Sequence, residues 1–146
     1  MSRDASEVSN TLYLRAADLL KVDEKLLTSS QNAEDMQVVH YDIGEKYDAH
    51  HDWGVAGYPE SRYITLLLYL NDMPDKYSGG ETAFPKGNGG TGLKISPKRG
   101  TAVLFYSLLE DGNGDDLSLH QAVPVTKGEK WLSNFWVKSL YCAKIY

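Results

Sequence analysis

Apolar positions in the first part of the chain recur at roughly helical spacing. Leu12, Ala16, Leu19, Leu20 and Leu27 carry the period, with Arg15, Asp18, Lys21, Asp23 and Glu24 between them. This predicts a helix over residues 6–27. The polar run from Thr28 to Asp35 breaks the pattern, and from Met36 onward it becomes that of short strands. Strands are predicted at Gln37–Tyr41, Tyr47–Trp53, Tyr63–Leu70, Glu81–Phe84, Gly92–Ser96, Thr101–Tyr106, Gln121–Val125 and Trp131–Val137. The run from Tyr63 to Leu70 is the strongest, a nearly continuous stretch of β-branched, aromatic and leucine residues suited to a buried strand. Turn signals punctuate the rest: Asn71-Asp72, Ser78-Gly79-Gly80, Gly87–Gly92, Lys98-Arg99-Gly100, Asp111–Asp116 and Lys127-Gly128. Many short strands with close turns predict a mainly β sandwich or jelly roll, with the leading helix packed on one sheet.

The 146 residues suffice for one domain with a real core. A net charge of −5 argues against a nucleic-acid footprint, which needs a basic patch or stripe. Cys142 is the only cysteine, so neither an intrachain disulfide nor a cysteine-based zinc site is expected. No apolar stretch approaches the ~20 residues that span a bilayer, and no signal-peptide pattern opens the chain. The expected compartment is the endoplasmic reticulum lumen if a targeting segment has been trimmed, and the cytoplasm otherwise.

Candidate chemistry concentrates in two separated places. If Tyr47–Trp53 is extended, His50 and Asp52 project from one side and His51 and Trp53 from the other. With His120 entering a later strand, two imidazoles and one carboxylate can take one face of an octahedral Fe(II), leaving three positions open. The same residues also read as a surface His-x-Asp pair and a satisfied core histidine, and spacing leaves both readings open. Lys130, ten residues beyond His120, reads either as a solvated hairpin tip or as an inward ammonium holding a carboxylate; buried, it requires a partner. Tyr41 and Thr65 lie on strand candidates and could donate hydroxyls to that carboxylate. Tyr47, Trp53, Tyr58 and Trp136 are candidate groove residues, with core packing as the plainer reading. The polar loops Gly54–Ser61 and Asn71–Ser78 could close over a ligand. The Gly-rich stretch Pro85–Gly92 lacks the Gly-Lys-Ser/Thr ending of a phosphate loop.

From Gln37 to Val137 the chain resembles the catalytic domain of the prolyl 4-hydroxylases, of the collagen and plant/algal type. The blocks that carry the resemblance are Val39-His40-Tyr41, Gly44–Trp53 (GEKYDAHHDW), Arg62–Asp72 (RYITLLLYLND) and Gly79–Pro85 (GGETAFP). Pro97–Tyr106 (PKRGTAVLFY), Leu117–Pro124 (LSLHQAVP) and Lys127–Trp136 (KGEKWLSNFW) continue it in order. The resemblance implies a double-stranded β-helix (jelly roll) with a supporting N-terminal helix. It also implies one catalytic domain over 1–146, helical at about 6–27 and jelly-roll at about 36–138, lacking the family's most N-terminal segment.

The implied activity is Fe(II)- and 2-oxoglutarate-dependent hydroxylation of peptidyl proline at C4, releasing succinate and CO2, with L-ascorbate rescuing oxidised iron. His50, Asp52 and His120 match the iron ligands, Lys130 the partner of the distal 2-oxoglutarate carboxylate, and Tyr41 and Thr65 its hydroxyl donors. Tyr47, Arg62 and Trp136 fall where the family lines its peptide groove. The implied partners are O2 and an extended, Pro-containing peptide in a polyproline II conformation, which loses little entropy on docking to an aromatic groove. A lysine at 130, where other branches use arginine, resembles the collagen and plant type. Ala49 stands where proline is common and Gln121 where glycine is common. Two other readings remain: a dioxygenase of the same fold acting on a non-proline substrate, and a non-catalytic jelly-roll binding module.

Overall fold

The computed structural model describes residues 1–54 and 61–138. One α-helix, α1 (Glu7–Leu20), precedes eight strands: β1 (Gln37–Tyr41), β2 (Tyr47–His50), β3 (Arg62–Tyr69), β4 (Thr82–Phe84), β5 (Leu93–Ile95), β6 (Ala102–Tyr106), β7 (His120–Ala122) and β8 (Lys130–Lys138). They form two antiparallel four-stranded sheets, ordered β1-β8-β3-β6 and β2-β7-β4-β5. This is the jelly-roll arrangement expected. No helix among the described residues is long and apolar enough to cross a membrane.

Helix α1 starts in a capping box: Ser9 N–H donates to Ser6 Oγ at 3.0 Å and Ser6 N–H to Ser9 Oγ at 2.9 Å. It stops earlier than the apolar spacing predicts. Lys21 turns left-handed (φ 56°), its N–H bonding back to the carbonyls of Ala17 and Asp18, and Asp23 then caps a short 3-10 turn at Glu24–Leu26. Leu27 continues the apolar period without being helical, because its fully buried side chain packs in the same cluster as Tyr13, Ala16 and Ala17.

The pleat of the larger sheet explains both its sequence and the site. On one face Ile64, Phe135 and Val137 pack with α1, Leu27 and Met36. On the other, Gln37, Val39, Tyr41, Leu67, Lys130, Leu132, Asn134 and Trp136 line a cavity of about 580 Å³. Strand β3 is thus covered on both sides, which is why it reads as a continuous apolar run. The second sheet closes the cavity with Tyr47, His50, Thr82, His120, Gln121 and Ala122. Across a register irregularity between Tyr47 and His50, His50 pairs with His120, and the two imidazoles meet at 4.3 Å, tilted by 54°. At the turn before β4, Gly79 (φ +70°) has no room for a side chain: a Cβ there would stand 2.1 Å from the Pro124 carbonyl oxygen.

A candidate metal and anion site between the sheets

His50 closes β2 and His120 opens β7. Each imidazole is oriented in the same way by its own chain. The Nδ1–H of His50 donates to the Asp48 carbonyl (2.8 Å) and that of His120 to the Ser118 carbonyl (3.0 Å). A carbonyl can only accept, so Nδ1 carries a proton, and in a neutral ring so oriented Nε2 is the atom that presents a lone pair. Burial holds the His120 pKa below its ordinary value of 6.5, partly offset by the nearby Asp52 charge, and so favours the neutral, ligand-competent ring.

Asp52 is the third member. Strand β2 ends at His50, so the shared-face argument does not place Asp52; it sits just beyond, in a bend. Its Oδ1 nevertheless comes 3.7 Å from His50 Nε2, and its Oδ2 3.9 Å from His120 Nε2. One ligand atom from each of the three residues lies within 4.8 Å of the others. Two imidazole nitrogens and a carboxylate, converging on a cavity, suit a divalent first-row metal with open positions. The Asp52 carboxylate is itself held: Thr65 Oγ1 donates to Oδ2 at 2.6 Å and Trp136 Nε1 donates to the same oxygen at 3.1 Å.

In the same cavity stands Lys130, only 1% exposed, its Nζ without a hydrogen-bond partner among the described residues. Burial pulls its pKa from 10.5 down to about 8, with the distant pull of Glu81 only partly opposing it. The rings of Tyr41 and Tyr69 lie 5.3 and 5.7 Å from Nζ and soften the charge without pairing it. An ammonium left this way is costly unless an anion meets it. The solvated-hairpin reading of Lys130 therefore fails.

Hydroxyls around Lys130 differ from those the sequence suggested. Tyr41 lines the cavity, and burial raises its pKa, keeping the phenol protonated as a donor. Thr65 does not serve there: its hydroxyl is committed to Asp52. The hydroxyl that lines the cavity instead is Thr82, in the quoted Gly79–Pro85 block. Its Oγ1 is hydrogen-bonded to the Tyr69 hydroxyl at 2.7 Å, a hydroxyl that also lies 3.2 Å from the Ile95 carbonyl. The signal that could have separated the two threonines is environment: Thr82 begins a strand after a turn, whereas Thr65 lies mid-strand opposite Trp136.

At the mouth, Tyr47 is 55% exposed and sits edge-on to His50 at 4.1 Å. Arg62 lies over the Trp136 ring, 3.6 Å from its centre, and is forked onto Glu34 at 2.7 and 2.9 Å. Glu34, the partner of Arg62, was missed in the sequence because it falls in the polar run before β1. Trp53 is not part of the cavity wall. It stacks on His51 (4.6 Å), donates to the Asp115 carbonyl (3.3 Å), and packs where a Cβ on Gly114 would stand 2.3 Å from its ring. Tyr58 lies outside the described residues, as does most of the Gly54–Ser61 loop. The other expected lid, Asn71–Ser78, is pinned down: Asn71 bonds the backbone of Glu129 and Trp131, and Asp75 pairs with Lys127 at 2.9 Å. Ala49 precedes His50 in β2, and Gln121 lines the cavity beside His120. On the outer face of the sheet, His40, Asp42 and Glu129 form an exposed ion-pair cluster, away from the cavity.

The chain matches the family model of the 2OG-Fe(II) oxygenase superfamily over residues 36–138. It is 37% identical over 133 residues to probable prolyl 4-hydroxylase 9 of Arabidopsis thaliana, covering 81% of this chain and 45% of that protein. It is 35% identical to prolyl 4-hydroxylase subunit alpha-1 of Gallus gallus, covering 90% of this chain and 25% of that protein. Among solved structures, the viral collagen prolyl hydroxylase of Paramecium Bursaria Chlorella virus-1, in its 2OG complex, superposes with a TM-score of 0.76 at 30% identity. That match covers 94% of this chain and 75% of the viral chain. The chain spans about half the length of the plant relatives it matches.

Proposed function

Because the chain belongs to the 2OG-Fe(II) oxygenase superfamily and, within it, to the prolyl 4-hydroxylase family, we propose that it is a procollagen-proline 4-dioxygenase-like enzyme. It hydroxylates peptidyl proline at C4, using Fe(II), 2-oxoglutarate and O2, with release of succinate and CO2. The observation that carries the reading is the pairing in one cavity of a His/Asp/His set with a buried lysine that has no hydrogen-bond partner among the described residues.

The residues present fit the groups the family uses. His50, Asp52 and His120 would hold Fe(II), because both Nε2 atoms and a carboxylate converge within 4.8 Å of one another, with the Arg62 guanidinium as the neighbouring cation, 3.9 Å from Asp52 Oδ1. Lys130 would hold the distal carboxylate of 2-oxoglutarate, since an anion would complete a buried ammonium that the fold leaves unpaired. Tyr41 and Thr82 would donate to the same carboxylate. Bound iron supplies oxygen activation coupled to oxidative decarboxylation of the co-substrate, chemistry that no side chain provides alone. The protein positions and protects. Leu67 and Leu132 line the same cavity as Lys130 and would exclude water from the ion pair formed there, strengthening it. The Arg62–Trp136 stack and Tyr47 flank the opening next to the metal ligands, where an extended peptide would present its proline. Ascorbate, as in the family, would restore iron oxidised in uncoupled turnovers.

The test is a succinate-release assay with Pro-rich peptides of collagen-like, plant cell-wall-like and globular types, followed by mass spectrometry. Succinate formation that rises with peptide, together with 4-hydroxyproline in the peptide, is expected. Hydroxylation confined to non-proline residues would remove the prolyl assignment. A protein that binds metal yet never decarboxylates 2-oxoglutarate would be a binding module.

A further inference from the structure

The geometry points to Thr65 and Trp136 as positioning residues that divide the labour of the Asp52 carboxylate: Oδ2 is anchored to the sheet and Oδ1 is left for the metal. The inference rests on the metal-centre reading above and adds to it which oxygen binds, and what makes it do so.

A carboxylate oxygen has two in-plane lone pairs. Oδ2 of Asp52 receives two donors, the Thr65 hydroxyl at 2.6 Å and the Trp136 indole N–H at 3.1 Å, and so has none to spare. Among the described residues Oδ1 has no hydrogen bond; its near neighbours are His50 Nε2 at 3.7 Å and Arg62 Nη1 at 3.9 Å, while His120 Nε2 stands 3.9 Å from Oδ2, whose lone pairs the two donors already take. The donors are fixed relative to each other, because Thr65 on β3 and Trp136 on β8 are direct cross-strand partners. Asp52, by contrast, lies outside any strand. Its own backbone does not hold the carboxylate plane, and the two donors do.

A further layer holds the indole. The Arg62 guanidinium covers the Trp136 ring at 3.6 Å and is locked in turn by both oxygens of Glu34. Glu34, Arg62, Trp136 and Asp52 thus form a chain from the segment before β1 to the metal carboxylate. The consequence is denticity. A free carboxylate can chelate through both oxygens and occupy a further coordination position. An anchored Oδ2 enforces single-oxygen binding and keeps that position open for co-substrate and oxygen. Partners of this kind commonly change metal affinity by about 10–100-fold when removed.

The experiment uses Co(II) as the probe ion, titrated into the full chain by calorimetry and followed by its visible absorption. Thr65→Val keeps the shape and β-branching of the residue and removes the hydroxyl; Thr65→Ser keeps the hydroxyl; Trp136→Phe removes the indole N–H. Circular dichroism checks each fold first, and if Thr65→Val does not fold, Trp136→Phe carries the test. The expected result is about 10–100-fold weaker Co(II) binding for Thr65→Val, with an altered absorption envelope as the carboxylate changes denticity. Thr65→Ser restores both, and Trp136→Phe moves them in the same direction. A structural role alone would lower stability and leave the Co(II) spectrum unchanged. Folded Thr65→Val and Trp136→Phe with wild-type affinity and spectrum overturn the inference while the metal centre stands. Wild type binding Co(II) no better than His120→Ala overturns the metal centre and the inference with it.

Discussion

Lys130→Met separates what the lysine costs the fold from what it does for the site. The side chain is 1% exposed and has no hydrogen-bond partner among the described residues, and burial brings its pKa from 10.5 to about 8. That depression corresponds to about 3 kcal/mol of destabilisation in the metal-free, co-substrate-free protein at neutral pH. The unfolded chain binds this proton up to a higher pH than the folded chain does. The penalty is therefore complete below about pH 8 and is lost as pH rises toward 10.5. Methionine fills similar space without charge, so Lys130→Met should melt higher than wild type at pH 7, by roughly 6–12 °C at most. At pH 10 the difference should shrink to under about 1 kcal/mol. Adding Co(II) with 2-oxoglutarate should reverse the order, raising the wild-type midpoint and leaving that of the variant with the small shift that metal alone produces. Differential scanning calorimetry at the two pH values, with and without ligands, measures all of this. A variant less stable than wild type at pH 7, or a difference independent of pH, would refute the argument that this ammonium is held unpaired for an anion.

Other consequences are as concrete. His120→Ala should abolish Co(II) binding in a titration while circular dichroism stays unchanged, because the ring lines a cavity rather than the apolar cluster under α1. Thr82→Val should raise the 2-oxoglutarate concentration needed for half-maximal succinate release by about tenfold or more, the loss of one charge-assisted hydrogen bond, with Co(II) affinity unaltered. Gly79→Ala should cost more than about 3 kcal/mol in urea unfolding, since its Cβ would meet the Pro124 carbonyl at 2.1 Å at a φ of +70°. Gly44→Ala, with open space around it and a φ of +86°, should cost only about 1–2 kcal/mol.

What could be read from the sequence, and what could not, follows from the range of the interactions involved. Strand positions were legible because burial on one or both faces leaves its period in the residues, as in β3 and in the alternation of Lys130, Leu132, Asn134 and Trp136 along β8. The end of α1 was not, because Leu27 keeps the apolar period while the backbone has already turned at Lys21. The His50/Asp52 pair was found for a reason only half right, since Asp52 is placed by donors from β3 and β8 rather than by strand alternation. The same long-range contacts explain the exchange of Thr65 for Thr82: two threonines in quoted blocks look alike until the partner across the sheet is known. Trp53 was an open choice between groove and packing, decided by Gly114, which is distant in sequence. Glu34 gave no signal, because a lone carboxylate in a polar run acquires its meaning only from Arg62 above it.

The most direct measurement of the central claim is product analysis under isotopically labelled O2, with Fe(II), 2-oxoglutarate, ascorbate and a Pro-rich peptide. One labelled oxygen atom is expected in the C4 hydroxyl of proline and the other in succinate, with both products absent from His120→Ala. Labelled succinate without a labelled proline hydroxyl in any peptide, or no labelled product at all from metal-loaded protein, would contradict it.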